Sequence, residues 1–97
     1  MSDLLTVVAW IRATPGAEDT VREALATIVP PTLQEEGCIE YKLHVVNNDP
    51  GLFYFVELWR SEEDLDIHLA SDHVREAIAG VDDSIEGIDI QRMTRIA

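Results

Sequence analysis

The sequence predicts an α+β fold in which helices cover one face of an antiparallel sheet. Four runs rich in β-branched and aromatic residues are interrupted by two segments whose apolar residues recur at helical spacing. Turn-forming residues join the two central runs directly, and the first run is apolar on both of its faces, as in a sheet covered on two sides. The resulting order, β-α-β-β-α-β, is the ferredoxin-like or split βαβ plan.

The first strand is predicted at residues 4–11, LLTVVAWI, which precede a turn signal at residues 14–16. From Ala17 the apolar period becomes helical, and acidic residues occupy the first turn, where the helix dipole favours them. The proline pair at 30–31 removes two backbone donors, so we expect the helix to bend or stop there and to resume as a short turn before Gly37.

An antiparallel hairpin is predicted next, with strands at residues 38–46 and 52–59. The five residues between them, NNDPG, have the composition of a turn. A second helix is expected to begin at Ser61, which has an acidic residue three positions later as in a capping box, and to break near Ser71. The last strand is predicted at residues 88–96.

Length and composition bound the organisation of the chain. Ninety-seven residues, of which 46% are hydrophobic, predict one domain spanning residues 1–97 and exclude a disordered chain. A domain of this size buries only about 60 to 65% of its unfolded surface, so a partner subunit is expected to complete the core. The sheet face that the helices leave uncovered is where a second copy would pack.

Charge and cysteine content limit the partners and the compartment. The formal charge of -12 repels phosphate backbones and anionic lipid head groups, so neither nucleic acid nor a membrane surface is an expected partner. Cys38 is the only cysteine and cannot form an internal disulfide, and the first eleven residues lack a basic leader region. A cytoplasmic location is therefore expected.

The third predicted strand carries a carboxylate among aromatic side chains. Alternation places Phe55, Glu57 and Trp59 on one face of this strand. Partial desolvation would raise the pKa of Glu57 and let it act as an acid or base beside rings that stack a flat substrate. The alternative is a structural Glu57 that caps an edge or forms an ion pair with an arginine, for which the candidates are Arg12, Arg60 and Arg92.

His68 is the principal catalytic candidate. It lies between Leu65 and Leu69 on the helix face that packs on the sheet, so its imidazole is aimed inward and can take a proton from a phenolic or enolic substrate. The alternative is a half-buried histidine bonded to a backbone carbonyl. Tyr41, on an apolar strand, is a candidate polar group of a pocket. His73 is expected to have a capping or interface role.

Other chemistry has little support in the sequence. A metal site built from His44, His68 and His73 would require a strand and a helix to converge, and these spacings are not those of known zinc or iron motifs. Cys38 has no basic residue nearby in the sequence to lower its thiol pKa. There is no glycine-rich phosphate loop or dinucleotide fingerprint, so neither a cofactor nor a metal is expected.

Several motifs are typical of one known family. The pattern E-x-W-x-S is followed by L-x-x-H-x-x-S-x-H, and Pro15-Gly16, Glu36-Gly37-Cys38, Tyr41 and Asp49-Pro50 accompany it. Taken together these residues resemble the antibiotic biosynthesis monooxygenase superfamily of dimeric α+β barrel proteins, and in particular its quinol monooxygenases. The resemblance covers nearly the whole chain.

The resemblance implies a homodimer whose two sheets meet face to face. It also implies a pocket in which a quinol or polyketide phenol is oxidised by molecular oxygen without flavin, haem or metal. In that pocket His68 would be the base, Trp59 and Phe55 the stacking wall, and Tyr41 or Glu57 the polar anchor, with His73 as a further substrate-binding candidate.

Other branches of the superfamily fit less well. Haem-degrading members use an asparagine on the first strand, a tryptophan on the second helix and an axial histidine, whereas this chain has no asparagine at 4–11 and has His68 and Ile78 at the other two positions. A branch that isomerises a phosphorylated sugar derivative is disfavoured by the acidic charge. The alternative from another class is a non-catalytic dimeric module that binds a small molecule or is associated with stress.

Overall fold

The computed structural model of the protein describes residues 4–97, so residues 1–3 of the predicted domain and N-terminal segment lie outside the described residues. The predicted order of elements is confirmed, with the second helical segment divided in two. The elements are β1 (Leu5–Ala13), α1 (Glu18–Leu33), β2 (Cys38–Val46), β3 (Asp49–Trp59), α2 (Glu62–Leu69), α3 (Asp72–Gly80) and β4 (Ile85–Met93), with a 3-10 turn at Asp82–Ser84.

The four strands form one antiparallel sheet in the order β2-β3-β1-β4. Side chains alternate between its faces, so every second residue of β1, from Leu5 to Ala13, is buried on one side. The buried side of β3 carries Phe53, Phe55, Glu57 and Trp59, the set that alternation predicts. Val21, Leu25 and Ile28 of α1 pack on this side and complete the core.

The opposite face of the sheet is only partly covered. Val8 and Trp10 of β1 are half-buried there, and Val56 of β3 is exposed. The helices of the described chain pack on the other side, so this second face is the uncovered one that the sequence predicts. Among residues 4–97, no helix has both the length and the apolar character needed to cross a bilayer.

Of the two outcomes predicted at the prolines of α1, a bend or a stop, the stop is wrong, because the helix continues through both prolines. Pro30 and Pro31 lack the N–H groups that would bond the carbonyls of Ala26 and Thr27, but both of those residues are exposed, so water can satisfy the carbonyls. The helix continues to Leu33 and ends in a turn closed by backbone hydrogen bonds of 3.1 Å and 3.0 Å.

Three strands differ from the prediction in their bounds, and the first of them, β1, begins one residue later and ends two residues later than predicted. The hairpin connection is two residues long, because β3 begins at Asp49, which pairs with Val46 and binds Arg12 at 2.9 Å. Pro50 is tolerated because it lies beyond Leu52, the last β3 residue paired with β1. Strand β4 begins three residues earlier than predicted and ends at Met93, where its pairing with β1 ends.

The start of α2 follows the predicted capping pattern. The Ser61 hydroxyl accepts the backbone N–H of Asp64 at 3.2 Å and donates to its carboxylate at 2.7 Å. Arg60 donates two hydrogen bonds of 2.9 Å to the same carboxylate. The predicted break near Ser71 is confirmed, since α3 begins at the next residue.

Candidate active site

A small cavity of about 60 Å³ lies between the sheet and the helices. Most of its wall is apolar, and the polar side chains among its lining residues are Tyr41, Glu57 and His68. The fold therefore brings together the three side chains that the sequence marks as catalytic candidates. The apolar wall consists of Val7, Ala9, Ile11, Ile28, Phe55, Leu65, Leu69, Val74, Ile78, Ile88 and Ile90.

His68 is held in the wall of this cavity with only 2% of its surface exposed. Helix α2 aims it inward from the same face as Leu65, and its ring packs at centroid distances of 4.7 Å from Trp59 and 5.1 Å from Tyr41. Its Nδ1 lies 2.7 Å from the Glu35 Oε2. The imidazole is therefore fixed by ring packing on one side and by a carboxylate on the other.

The environment of His68 favours a neutral ring that can accept a proton. Burial lowers its pKa, and the hydrogen bond to Glu35 partly opposes that effect. Because an ionised carboxylate accepts hydrogen bonds, Nδ1 carries the hydrogen when Glu35 is ionised, and Nε2 keeps its lone pair. This tautomer is the one a general base requires at Nε2.

Glu35 is a site residue that the sequence analysis missed. It lies in the turn after α1, where its backbone N–H bonds the Thr32 carbonyl at 3.0 Å and its own carbonyl accepts the Cys38 N–H at 3.1 Å. This turn directs Glu35 inward while the side chain of Glu36 stays 87% exposed. Two adjacent glutamates before a glycine give no signal that separates them, so only the turn geometry identifies Glu35.

The Glu35 carboxylate contacts a second histidine as well as His68. Nε2 of His73 lies 3.2 Å from the same Oε2 atom and 3.0 Å from the Thr32 hydroxyl. His73 is at the start of α3 and is one quarter exposed, but it does not line the cavity. The structure thus places His73 behind His68, in contact with the carboxylate that orients it.

Glu57 is buried beside the cavity and accepts a hydrogen bond of 2.8 Å from the Trp59 indole N–H. Burial raises its pKa to about 7, an effect that the indole hydrogen bond partly opposes and the charge of Glu35 reinforces. The predicted ion pair with an arginine is wrong. The three candidate arginines bind other carboxylates: Arg12 binds Asp49, Arg60 binds Asp64, and Arg92 binds Glu62 and Asp66.

Two aromatic rings, those of Tyr41 and Phe55, line the cavity, and the Tyr41 ring contacts His68. Tyr41 stacks on Phe55 at a centroid distance of 4.9 Å and an interplanar angle of 29°. Burial raises the pKa of Tyr41, and the charge of Glu57 raises it further, so its phenol keeps its proton at neutral pH. Tyr41 therefore adds a hydroxyl that keeps its hydrogen to the polar groups of the cavity wall.

Two other predicted residues lie away from the cavity surface. Trp59 is fully buried and does not line the cavity, since it packs between His68 and Glu57 and contacts both. His44 pairs with Tyr54 in the register that faces away from the helices, so it does not converge with the other two histidines. Glu35 takes that place, and the donor atoms of Glu35, His68 and His73 all lie within 4.8 Å of one another.

The cavity wall is loosest where α3 faces β4. Helix α3 has no buried residue, and its Val74 and Ile78 are half-buried. On β4, Ile88 is 51% exposed and Ile90 is 37% exposed although both line the cavity. A surface groove along α3 shares Leu69, Val74 and Ile78 with the cavity, so the cavity borders a solvent-exposed groove on this side.

The space between sheet and helices thus combines an apolar cavity, an oriented histidine and a buried acid. The family model described as antibiotic biosynthesis monooxygenase matches residues 4–80 of the chain. The chain therefore belongs to the antibiotic biosynthesis monooxygenase family, as its motifs predict.

Individual relatives agree with this assignment. The Escherichia coli protein named "Probable quinol monooxygenase YgiN" is 34% identical over 90 residues, covering 79% of this chain and 86% of YgiN. The crystal structure of PA3566 from Pseudomonas aeruginosa is 33% identical with a TM-score of 0.93, covering 100% of this chain and 98% of that one. A crystal structure described as antibiotic biosynthesis monooxygenase is 31% identical with a TM-score of 0.89, covering 96% and 99%.

Proposed function

We propose that this chain is a cofactor-independent monooxygenase that oxidises a quinol-like or polyphenolic compound with molecular oxygen. The observation that carries the proposal is the buried His68, whose Nδ1 lies 2.7 Å from Glu35 in the wall of an apolar cavity. A monooxygenase-type function is supported by the family and by the similarity to YgiN. The substrate class and the use of oxygen are the parts that this proposal adds.

In the proposed chemistry the protein supplies a base, and the substrate itself supplies the electrons. His68 Nε2 takes a proton from a substrate hydroxyl, and the resulting electron-rich anion transfers electrons to oxygen. A ring carbon of the substrate then bonds to the reduced oxygen molecule and gives a hydroperoxide. The O–O bond of this hydroperoxide breaks with loss of water, and a hydroxyquinone remains. One oxygen atom enters the product, the other leaves as water, and the quinol supplies all four electrons.

The other polar groups of the cavity have complementary roles in this proposal. Tyr41 donates a hydrogen bond to a substrate oxygen, and Phe55 with the Tyr41 ring provides an apolar surface for a flat ring. Glu57, with a pKa of about 7, can take or return a proton near neutral pH. Trp59 and His73 act as positioning residues, because they contact His68, Glu57 or Glu35 from behind the cavity wall.

The size of the cavity favours a second candidate function. About 60 Å³ holds only about one or two water molecules, whereas ligand pockets typically measure roughly 300 Å³ or more. A quinol must therefore displace side chains at the α3 and β4 side before it reaches His68. If that side does not open, the chain is a non-catalytic dimeric module, and its polar interior is structural.

A homodimer forms part of the proposal. The second sheet face presents Trp10, Tyr54 and Val56 as partly exposed apolar side chains, and a second copy of the sheet would cover them. We also propose a cytoplasmic location, consistent with a free thiol at Cys38 whose pKa is raised to about 11 by burial and is thus unreactive.

Oxygen consumption tests the proposal most directly. Metal-free protein is mixed with a panel of hydroquinones and polycyclic phenols, and oxygen uptake is compared with the autoxidation blank. The proposal expects uptake that falls to the blank in His68→Ala and is unchanged in Glu63→Gln, a control at an exposed position of the same helix. With isotopically labelled oxygen, one labelled atom should appear in the product.

Two results would overturn the proposal. Full uptake in His68→Ala, with folding verified by circular dichroism, would remove His68 from the mechanism. If no substrate gives uptake above the blank, oxygenase function fails. The same panel, titrated against the intrinsic fluorescence of the protein, then tests whether the chain is a binding module.

A further inference from the structure

We propose that Glu35, His68 and His73 form a binding site for a divalent transition-metal ion of the zinc or iron(II) class. The His68 Nδ1 and His73 Nε2 atoms lie 2.7 Å and 3.2 Å from the Glu35 Oε2, and the donor atoms of all three residues lie within 4.8 Å of one another. Zinc binds such donors at about 2.0 to 2.2 Å. An ion among these atoms would therefore reach all three after small side-chain adjustments.

The donor set selects the class of ion. Two imidazoles and one carboxylate suit zinc, iron, copper or nickel, whereas calcium and magnesium prefer cages of oxygen ligands. Three protein donors leave coordination positions for water or another small ligand, as in zinc and iron sites that are open on one side. The ion we infer is therefore a borderline divalent metal and not a hard alkaline-earth ion.

The three donors come from different elements that the fold holds together. Glu35 belongs to the turn after α1, His68 to α2 and His73 to the first turn of α3. His68 is fixed by its packing on Trp59 and Tyr41, so it serves as the rigid ligand. His73 is 25% exposed and Glu35 is 17% exposed, which gives an ion a path from solvent.

Charge around the cluster also favours a cation. In the described part of the chain, the ion pairs of Glu35 are with these two histidines, while the nearby Arg60 is bound to Asp64 and Glu36. No lysine or arginine among residues 4–97 thus neutralises the Glu35 carboxylate. The net charge of -12 raises the local concentration of cations around the whole molecule.

The ion-bound and hydrogen-bonded forms of the cluster are alternatives. The His68 Nδ1 cannot donate a hydrogen to Glu35 and coordinate an ion at the same time. His73 Nε2 would likewise exchange its contact with the Thr32 hydroxyl, now 3.0 Å away, for the metal. The site does not depend on the proposed oxygenase function, and its test needs no substrate.

The test uses the full chain without an affinity tag, stripped with a chelator. Cobalt(II) is titrated in, its visible absorption is followed, and equilibrium dialysis with zinc gives the stoichiometry. We expect one ion per chain, with magnesium in excess unable to displace it. Glu35→Gln and His73→Ala should each weaken binding at least about tenfold, and His44→Ala should leave it unchanged.

The result that overturns the proposal is equal binding in Glu35→Gln, His73→Ala and the wild type, which would locate the ion on surface carboxylates, or no binding at all. A measurement on the wild type alone guards against variants that fail to fold. Zinc should shift the nuclear magnetic resonance signals of the His68 and His73 rings and leave those of His44 in place. Shifts of His44 alone would also contradict the site.

Discussion

The two sides of the cavity differ sharply in packing. On the side formed by β1, β3 and α1, Ile11 and Leu25 are almost completely buried. On the side formed by α3 and β4, no residue of the helix is buried, and Ile88 is half exposed although it is the direct cross-strand neighbour of Ile11. Two isoleucines that pair across neighbouring strands therefore differ in burial: Ile11 lies in the core, and Ile88 lies at the edge of the cavity.

The difference shows how a small fold can combine rigidity with access. The groups that would carry chemistry, Glu57 and His68, are anchored to the packed side by Trp59. Loosely packed elements open at lower free energy than core elements, so the α3 and β4 side is where movement is expected. In the proposed function, Glu57 and His68 would stay in place while the opposite wall opens to a ligand.

The largest effect is expected from truncation on the packed side. Ile11→Ala removes three buried carbon atoms from the wall of the cavity and enlarges it. We expect the free energy of unfolding to fall by about 2 to 5 kcal/mol, measured by urea denaturation. A loss below about 1 kcal/mol would mean that this side is not the rigid one.

A second effect depends on pH and involves Glu57. Its pKa is about 7 in the folded protein and 4.5 as the ordinary value, so the folded state holds the proton more tightly. This contribution to stability is complete below pH 4.5, decreases as the pH rises, and is lost above about 7. The difference in pKa corresponds to about 3 kcal/mol.

The comparison of wild type with Glu57→Gln isolates this contribution. The glutamine keeps an oxygen for the Trp59 N–H and cannot ionise. The stability of the wild type should therefore fall relative to the variant between pH 4.5 and pH 7, as measured by denaturation across that range. Glu63→Gln, at an exposed position of α2, should show no such trend, and parallel curves for Glu57→Gln would contradict the prediction.

A smaller effect is expected at Gly37, which lies in the turn between α1 and β2 and packs against α2. A Cβ at this position would collide with the side chain of Asp64, which Arg60 and Ser61 hold by hydrogen bonds. Gly37→Ala should cost about 1 to 3 kcal/mol, because the carboxylate must move away from its partners. Gly80→Ala, where nothing lies within 4 Å of the added carbon, is the matched control.

The sequence was sufficient where periodicity alone determines orientation. Alternation along β3 identified Glu57, and helical spacing beside Leu65 identified His68, because these periods fix which side of an element faces the core. The continuation of α1 through Pro30 was not predictable, since it depends on whether solvent can reach two carbonyls. Glu35 was missed because its side chain is directed by the geometry of a turn, and the repeat of apolar residues in the sequence does not reveal that geometry.

The positions of Trp59 and His73 relative to the cavity were also beyond the sequence. Trp59 lies on the core face of β3, as the alternation predicts, and His73 contacts Glu35 from the start of α3, yet neither lines the cavity. Whether a core-facing side chain forms the wall or lies behind it depends on its rotamer and on the neighbouring rings. Residue patterns therefore predict which side chains face the core, but packing determines which of them line the cavity.

The smallest effect is expected from truncation of Ile88, the residue of β4 that pairs with Ile11 of β1. Ile88→Ala removes the same atoms as Ile11→Ala but from a side chain that is 51% exposed, so the lost burial is small and water fills the space. We expect a loss of about 1 kcal/mol or less in the free energy of unfolding. Fluorescence titration with quinols should show equal or tighter binding, because the rim becomes wider. A cost equal to that of Ile11→Ala would show that α3 and β4 form a second rigid wall, and a substrate would then have no route to His68 on this side.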